Sequence, residues 1–208
     1  YFNRAGQADL LTHITDTLGG KVEITYGPSM AYPQQQQIYP PPYPASRLPF
    51  NFWVVTAVTK DNGISGAHAV RATTNYNYHG GQYDFPSREF RGFGWVEEYQ
   101  PNLASANDIF FGQHDNCIKG KQRRNDIRWM DGQKSEYLII DNSFSCSVEH
   151  DNVYSSQIIY TNETTSEVVS GTSVNRIKSS SFNYDIYGNV TLETRYGDTN
   201  LTGDEAYI

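Results

Sequence analysis

The chain has little of what a helical enzyme is built from. Runs of Ala, Leu, Glu and Lys at helical spacing are missing, and Met (2), Trp (3) and Cys (2) are scarce among 208 residues. No apolar run approaches the roughly 18–20 residues that a membrane-spanning helix needs, so no membrane span is read. The opening YFNRAGQADLLTH has no basic start leading into an apolar stretch, and no secretory leader is read there. It has no initiator Met either, which leads us to expect a piece of a longer protein. Positive charge is also short. Lys plus Arg number 16 against 23 Asp plus Glu, a net charge of −7, and so acidic a chain is a poor polyanion binder, which argues against nucleic acid as a partner. There is no CxxC and no His/Cys cluster at ligand spacing, so neither a zinc site nor another cofactor is expected. Cys117 and Cys146 permit one disulfide or two thiols. Spacing does not decide between them, and two unpaired thiols are the default expectation.

What is abundant favours strands. Tyr (16) and Phe (10) are frequent and Thr and Ser occur throughout, and aromatic and β-branched side chains pack well on a pleated, half-buried surface. In GGKVEITYGPS (19–29), Val22, Ile24 and Tyr26 alternate with Lys21, Glu23 and Thr25 between glycine and proline punctuation, which reads as a strand. The preceding Leu10, Leu11, Ile14 and Leu18 fit a helix slightly better by spacing, but Thr12, Thr15 and Thr17 are poor helix formers, and a strand pair is preferred. Residues 30–50 hold six of the nine prolines. Proline lacks the donor a sheet needs, so this Pro/Gln-rich stretch reads as an extended connector. Strands are then expected at 52–60, 67–78, 93–99, 107–111, 123–130, 135–140, 144–149, 153–161, 166–169, 173–184 and 190–196. Asp61-Asn62-Gly63 turns the first hairpin. The fold class is all-β: many short antiparallel strands at roughly ten-residue spacing.

Two stretches stand out. In REFRGFGWVEEY, alternation sets Glu89 against Arg88 and Phe90, while Gly92 and Gly94 flank Phe93. This reads as a bent strand with a glycine bulge, and Arg88 or Arg91 pairs with acidic neighbours such as Glu97 and Glu98. In FNYDIYGNVTLETRYGDT, Phe182 and Tyr184 share a face before a reversal at 185–189. Asp185 accepts from the turn backbone, Gly188 takes the left-handed conformation and Asn189 opens the return. Val190, Leu192 and Tyr196 then line one face, and Thr191, Glu193 and Arg195 the other.

Catalytic readings are weaker. His114-Asp115 and His150-Asp151 are adjacent residues, which a strand points to opposite faces. No G-x-S-x-G elbow marks Ser145 or any other nucleophile, and Glu97-Glu98 would serve glycoside chemistry only across a cleft. DNG, MDG and GDTNLTGDE lack EF-hand spacing and read as solvated turns. KGKQRR (119–124) with Arg128 reads as a solvated basic hairpin.

YDIYGNV resembles a Tyr-Asp repeat of the Rhs/YD class. The wider pattern resembles the B component of bacterial insecticidal toxin complexes and the related SpvB-like virulence proteins. It is carried in order by ADLLTHITDTLGGKVEITYGPS, SRLPFNFWVVTAVTKDNGISG, NYNYHGGQYDFPSREFRGFGWVEE, FFGQHDNCIKGKQRR and the 182–199 run. The resemblance implies a large protein whose repeated strands wind into a hollow β-shell beside a β-propeller. That shell encloses a C-terminal toxin, and the propeller docks on a pore-forming A component. On this reading residues 1–29 follow the propeller, 30–50 form the connector, and 51–208 are an antiparallel shell segment with the hairpin at 182–196. The implied function is a non-catalytic wall segment, secreted or at the bacterial cell surface. It would leave raw sheet edges if cut out alone. The alternative is a surface binding or adhesin module using Trp53, Trp95 and Trp129.

Overall fold

A computed structural model describes residues 10–32, 48–101, 103, 105–113, 115–129, 136–150, 153–169, 172–204 and 206–207. The first strands are β1 (His13–Thr15), β2 (Lys21–Pro28), β3 (Trp53–Asp61) and β4 (Arg71–His79). A short pair follows, β5 (Gln82–Asp84) and β6 (Glu89–Gly92), then β7 (Trp95–Tyr99), β8 (Ser105–Phe111) and β9 (Gln122–Trp129). Three long strands, β10 (Glu136–His150), β11 (Val153–Val169) and β12 (Thr172–Tyr184), lead to β13 (Val190–Asp198) and β14 (Ala206–Tyr207). Helical structure among the described residues is confined to two 3-10 turns, Ser29–Ala31 and Gly66–His68.

Twelve strands form one antiparallel sheet in the order β1-β2-β3-β4-β7-β8-β9-β10-β11-β12-β13-β14, and β5 and β6 make a separate pair. Every strand therefore lies beside its chain neighbour, apart from the β5–β6 excursion between β4 and β7. The period-two pattern of 21–26 sets the first register: Ile24 faces Val58, and Ile14 of β1 faces Val22. The threonine-rich start is thus a strand pair, as its composition implies. The Pro/Gln-rich residues 33–47 lie outside the described residues.

Several boundaries differ from the sequence reading. The second hairpin strand starts at Arg71 rather than 67, because Gly66–His68 takes the 3-10 turn. The pairs expected at 135–140/144–149 and 153–161/166–169 are each one strand, of 15 and 17 residues. The polar residues left between those expected strands sit mid-sheet, where their side chains bond across strands. The Thr161 hydroxyl donates to Asn142 at 2.9 Å and the Ser179 hydroxyl to Asn162 at 2.7 Å. Such cross-strand pairs satisfy polar side chains without ending the ladder. A bulge between Asn183 and Tyr184 sets Val190 opposite Tyr184 but Leu192 opposite Asn183, so those two apolar residues no longer share a face as alternation implied.

Cys117 and Cys146 form a disulfide, their Cα atoms 5.9 Å apart, which corrects the expectation of two thiols. Spacing could not reveal it, since only the meander brings the β8–β9 connection beside β10. The most buried ground lies on one face of the centre, at Trp95, Ala106 and Phe110. The Trp95 ring stacks between His79 (4.0 Å) and Phe110 (5.8 Å), three residues opposed across β4, β7 and β8. Beside them the ladder opposes Asn77, Glu97, Asp108 and Asp126 in one row.

Candidate functional site

The reversal after β12 is built by one carboxylate. Asp185 accepts from the backbone N–H groups of Tyr187 (2.9 Å) and Asn189 (2.8 Å) and from the Asn189 amide (2.9 Å). Its own N–H donates to the Asn189 carbonyl, and Gly188 donates back to the Asp185 carbonyl with φ at 84°. The Tyr184 hydroxyl leaves the hairpin and donates to the Ile158 carbonyl at 2.6 Å, tying the turn to β11. Sequence reasoning missed a second copy of this turn. Asp16 accepts from the N–H groups of Leu18 and Gly20, its own N–H donates to the Gly20 carbonyl, and Gly19 sits at φ 93°. The signal was available as Asp-x-x-Gly at both places, each opening a strand that reaches a tyrosine, Tyr26 or Tyr196.

The hydrogen bond from the Asn189 amide, then those from the backbone, hold the exposed Asp185 carboxyl below its ordinary value. A depressed carboxylate contributes stability above its unfolded value near 4, and that contribution is lost as pH falls through the lower folded value. The turn is therefore expected to loosen only on strong acidification. Asp185→Asn should erase this pH dependence in the Tyr187 and Asn189 amide resonances, and an unchanged acid profile in that variant would refute the assignment.

The arginine- and glycine-rich stretch forms a corner instead of one bent strand. β6 ends at Gly92 (φ 81°) in the small sheet, and β7 begins at Trp95 in the large one. Between them the Gly94 N–H donates to the carbonyls of His79 (3.0 Å) and Gly80 (3.3 Å). Arg88 itself takes φ 53°, closing the turn into β6. Its aromatics pack together. Phe93 lies 4.7 Å from Tyr78, Phe90 lies 5.0 Å from Phe52, and Tyr83 lies 5.4 Å from Phe50. The Tyr78 hydroxyl donates to the Val55 carbonyl at 2.7 Å, and burial, with help from Tyr32, Tyr76 and Glu98, pushes it up to about 12. The arginine pairing differs from the expectation. Arg91, buried, meets Asp84 at 3.3 Å and Glu89 at 3.4 Å. Glu97 and Glu98 are committed elsewhere, because the chain turns at Gly92 before they arrive.

The β8–β9 connection braces this corner. The Gln113 amide, 3% exposed, donates to the carbonyls of Gly80 (2.7 Å) and Gly92 (2.8 Å), and Lys119 reaches Glu89 at 2.8 Å. Gly112 is required there, since a Cβ would fall 2.4 Å from the Ile118 carbonyl oxygen. The cluster read as a solvated basic hairpin is thus spent internally in part: Lys119 on the corner, Arg124 on Asp126, and Arg128 on Asp108 and Glu97. Burial raises the Asp126 carboxyl against the pull of Arg124. Burial alone would lower Arg128, but the bonds and charges of Asp108 and Glu97 outweigh it and raise the guanidinium.

Little of this geometry is arranged for bond chemistry. His79 is pushed down by burial, offset in part by Glu97 and Asp108, and its ring stacks on Trp95. Cys146 is held in the disulfide. Glu97 accepts from Asn77 and Glu98 from Asn107, on opposite faces of β7. Asp61 accepts from the Gly63 N–H, while Asp198 accepts from Asn200 and Asp204 from Asp198, so these carboxylates serve turn backbone. His114 and Asp151 lie outside the described residues. An open pocket of about 490 Å3 beside the β12–β13 turn is lined by Asn142, Phe144, Gln157, Ile158, Tyr184 and Gly188. Asn142 and Tyr184 already bond to protein there.

The fold is shared with solved toxin-complex assemblies. The chain is similar to part of the Photorhabdus luminescens Tc holotoxin pore, with a TM-score of 0.67 at 15% identity over 89% of this chain. It is similar in the same way to TcdB2-TccC3, with a TM-score of 0.66 at 16% identity over 94% of this chain. TcdB2-TccC3 without its hypervariable C-terminal region gives the same TM-score, identity and coverage. The chain spans only 12–13% of the length of those chains. No curated protein matches it by sequence. These likenesses define the fold, an antiparallel β-sheet segment shared with toxin-complex structures. Residues 2–114 match the insecticide toxin TcdB middle/N-terminal region, and the chain belongs to that family.

Proposed function

We propose that this chain is a non-catalytic length of wall in the β-shell of a toxin-complex B protein, secreted or held at the bacterial cell surface. The shell encloses a C-terminal toxin segment and helps deliver it through a pore-forming A component. The observation that carries this reading is the twelve-strand antiparallel sheet, which follows toxin-complex structures over most of its length. In it, residues 1–29 follow a propeller, 30–50 connect, and 51–208 make wall. Arg88 to Gly94 and the Tyr184, Asp185, Gly188 and Asn189 turn act as framework, with no cofactor. The binding-module reading has less support. Trp95 is buried, while Trp53 and Trp129 stand at opposite ends of their strands, because Trp129 pairs with Ser105 at the far end of β8 from Phe110.

The test is limited proteolysis of the native, full-length protein produced together with its toxin segment. The toxin segment is expected to resist digestion until the shell is opened by denaturant. Digestion at the rate of the free segment, or a mature protein ending near Ile208, would remove the enclosing role.

A further inference from the structure

The upper parts of β10 and β11 stand beyond their neighbours. β9 pairs with β10 only over Glu136–Asp141, and β12 pairs with β11 only from Tyr160 onward. Residues 142–150 and 153–159 therefore form a two-stranded arm, interrupted by register shifts at Ser143/Phe144 and Val148/His150. An isolated two-stranded ribbon is marginal in water. The ties that hold this one include the Tyr184 hydroxyl on Ile158, the disulfide from Cys146 to Cys117, and the Asn142 amide on the Gln122 carbonyl of β9. The second tie ends in the connection that braces the β5–β6 corner through Gln113 and Lys119. Its two halves differ in access. Cys117 is 4% exposed, whereas Cys146 lies in the exposed stretch 145–148.

We propose that Cys117–Cys146 is a thiol-exchange site for a small thiol of the glutathione class, and that its reduction frees the β10–β11 arm from the β8–β9 connection. A glutathione thiolate attacks the Cys146 sulfur, which solvent reaches. The S–S bond breaks, and its electron pair leaves on the Cys117 sulfur, which takes a proton from water. A second glutathione thiolate attacks the glutathione sulfur of the mixed disulfide, and the Cys146 sulfur leaves as a thiolate that takes a proton from water. Two glutathione molecules are oxidised to one disulfide, and the protein disulfide is reduced to two thiols. Burial closes the approach to Cys117, so attack there is disfavoured. The connection keeps its internal bonds, Gly120 N–H to the Gly112 carbonyl and Lys121 N–H to the Ile118 carbonyl, and so it detaches from the arm as an intact loop.

The experiment uses the full-length protein, purified without reductant and then exposed to reduced glutathione. Differential alkylation with peptide mass analysis locates the modified sulfur, and amide hydrogen exchange reads the ties. We expect both cysteines oxidised at the start, the first glutathione adduct on Cys146, and exchange over 112–121 and 142–159 faster by roughly tenfold or more. Exchange over 53–61 and 71–79 should stay unchanged. Cys146→Ser should show the fast pattern with no thiol added; if it does not fold, the oxidised and reduced wild-type proteins still carry the comparison. Free thiols at the start, a first adduct on Cys117, or complete reduction with unchanged exchange in the arm would each overturn the proposal.

Discussion

Replacing Arg128 with Met is expected to lower the stability of the sheet centre by about 3–5 kcal/mol, the usual loss when one member of a buried ion pair is removed. The register explains the size. Glu97, Asp108 and Asp126 stand directly opposed on β7, β8 and β9, and like charges in that position repel. Arg128 sits one row away and reaches diagonally, its Nε to Asp108 and its Nη2 to Glu97. Its side chain is 8% exposed and that of Asp108 is 7%, so water does little to screen the carboxylates once the guanidinium is gone. Met keeps most of the volume and isolates the charge. Amide exchange of β7, β8 and β9 in the full-length protein measures the loss. A loss under about 1 kcal/mol, the range of an exposed pair, would show that the row is solvated.

The second large effect is expected at Gly63. It takes φ 70°, and a Cβ there would lie 2.1 Å from the Gly19 carbonyl oxygen and 2.4 Å from its carbon. These are backbone atoms of the β1–β2 turn, so relief requires the two hairpins to part. Left-handed strain of about 1–2 kcal/mol and overpacking of about 1–3 kcal/mol give an expected loss of roughly 2–5 kcal/mol for Gly63→Ala. Gly66 is the control: φ is 79°, yet no atom lies within 4 Å of a built Cβ. Gly66→Ala carries the strain alone, about 1–2 kcal/mol. Exchange rates of β1 to β4 compare the two variants. Equal losses would mean that the turns do not touch.

The all-β class was legible because it rests on local chemistry. Val22, Ile24 and Tyr26 alternate as a strand must, Asp61-Asn62-Gly63 carries its own turn, and Asp185 with Gly188 closes a hairpin from five consecutive residues. Polar side chains were harder to place. Asn142 and Asn162 fell between expected strands because their partners, Thr161 and Ser179, lie on other strands, 17 to 19 residues away in sequence. The Arg91 partners were misjudged for a related reason. Glu97 and Glu98 are near in sequence, but the glycine corner at 92–94 carries β7 into another sheet and leaves Asp84 and Glu89 at the guanidinium.

By itself the sequence determined the acidic balance that argues against polyanions, a sum over the whole chain, and the strand-forming pattern and the Asp-x-x-Gly turn, which depend on residues that meet within one hairpin. Only the tertiary structure decided that Cys117 meets Cys146, that Gln113 and Lys119 brace the corner, and that three carboxylates share a row beside Arg128. Those contacts depend on register accumulated across many strands, where one bulge shifts every partner that follows.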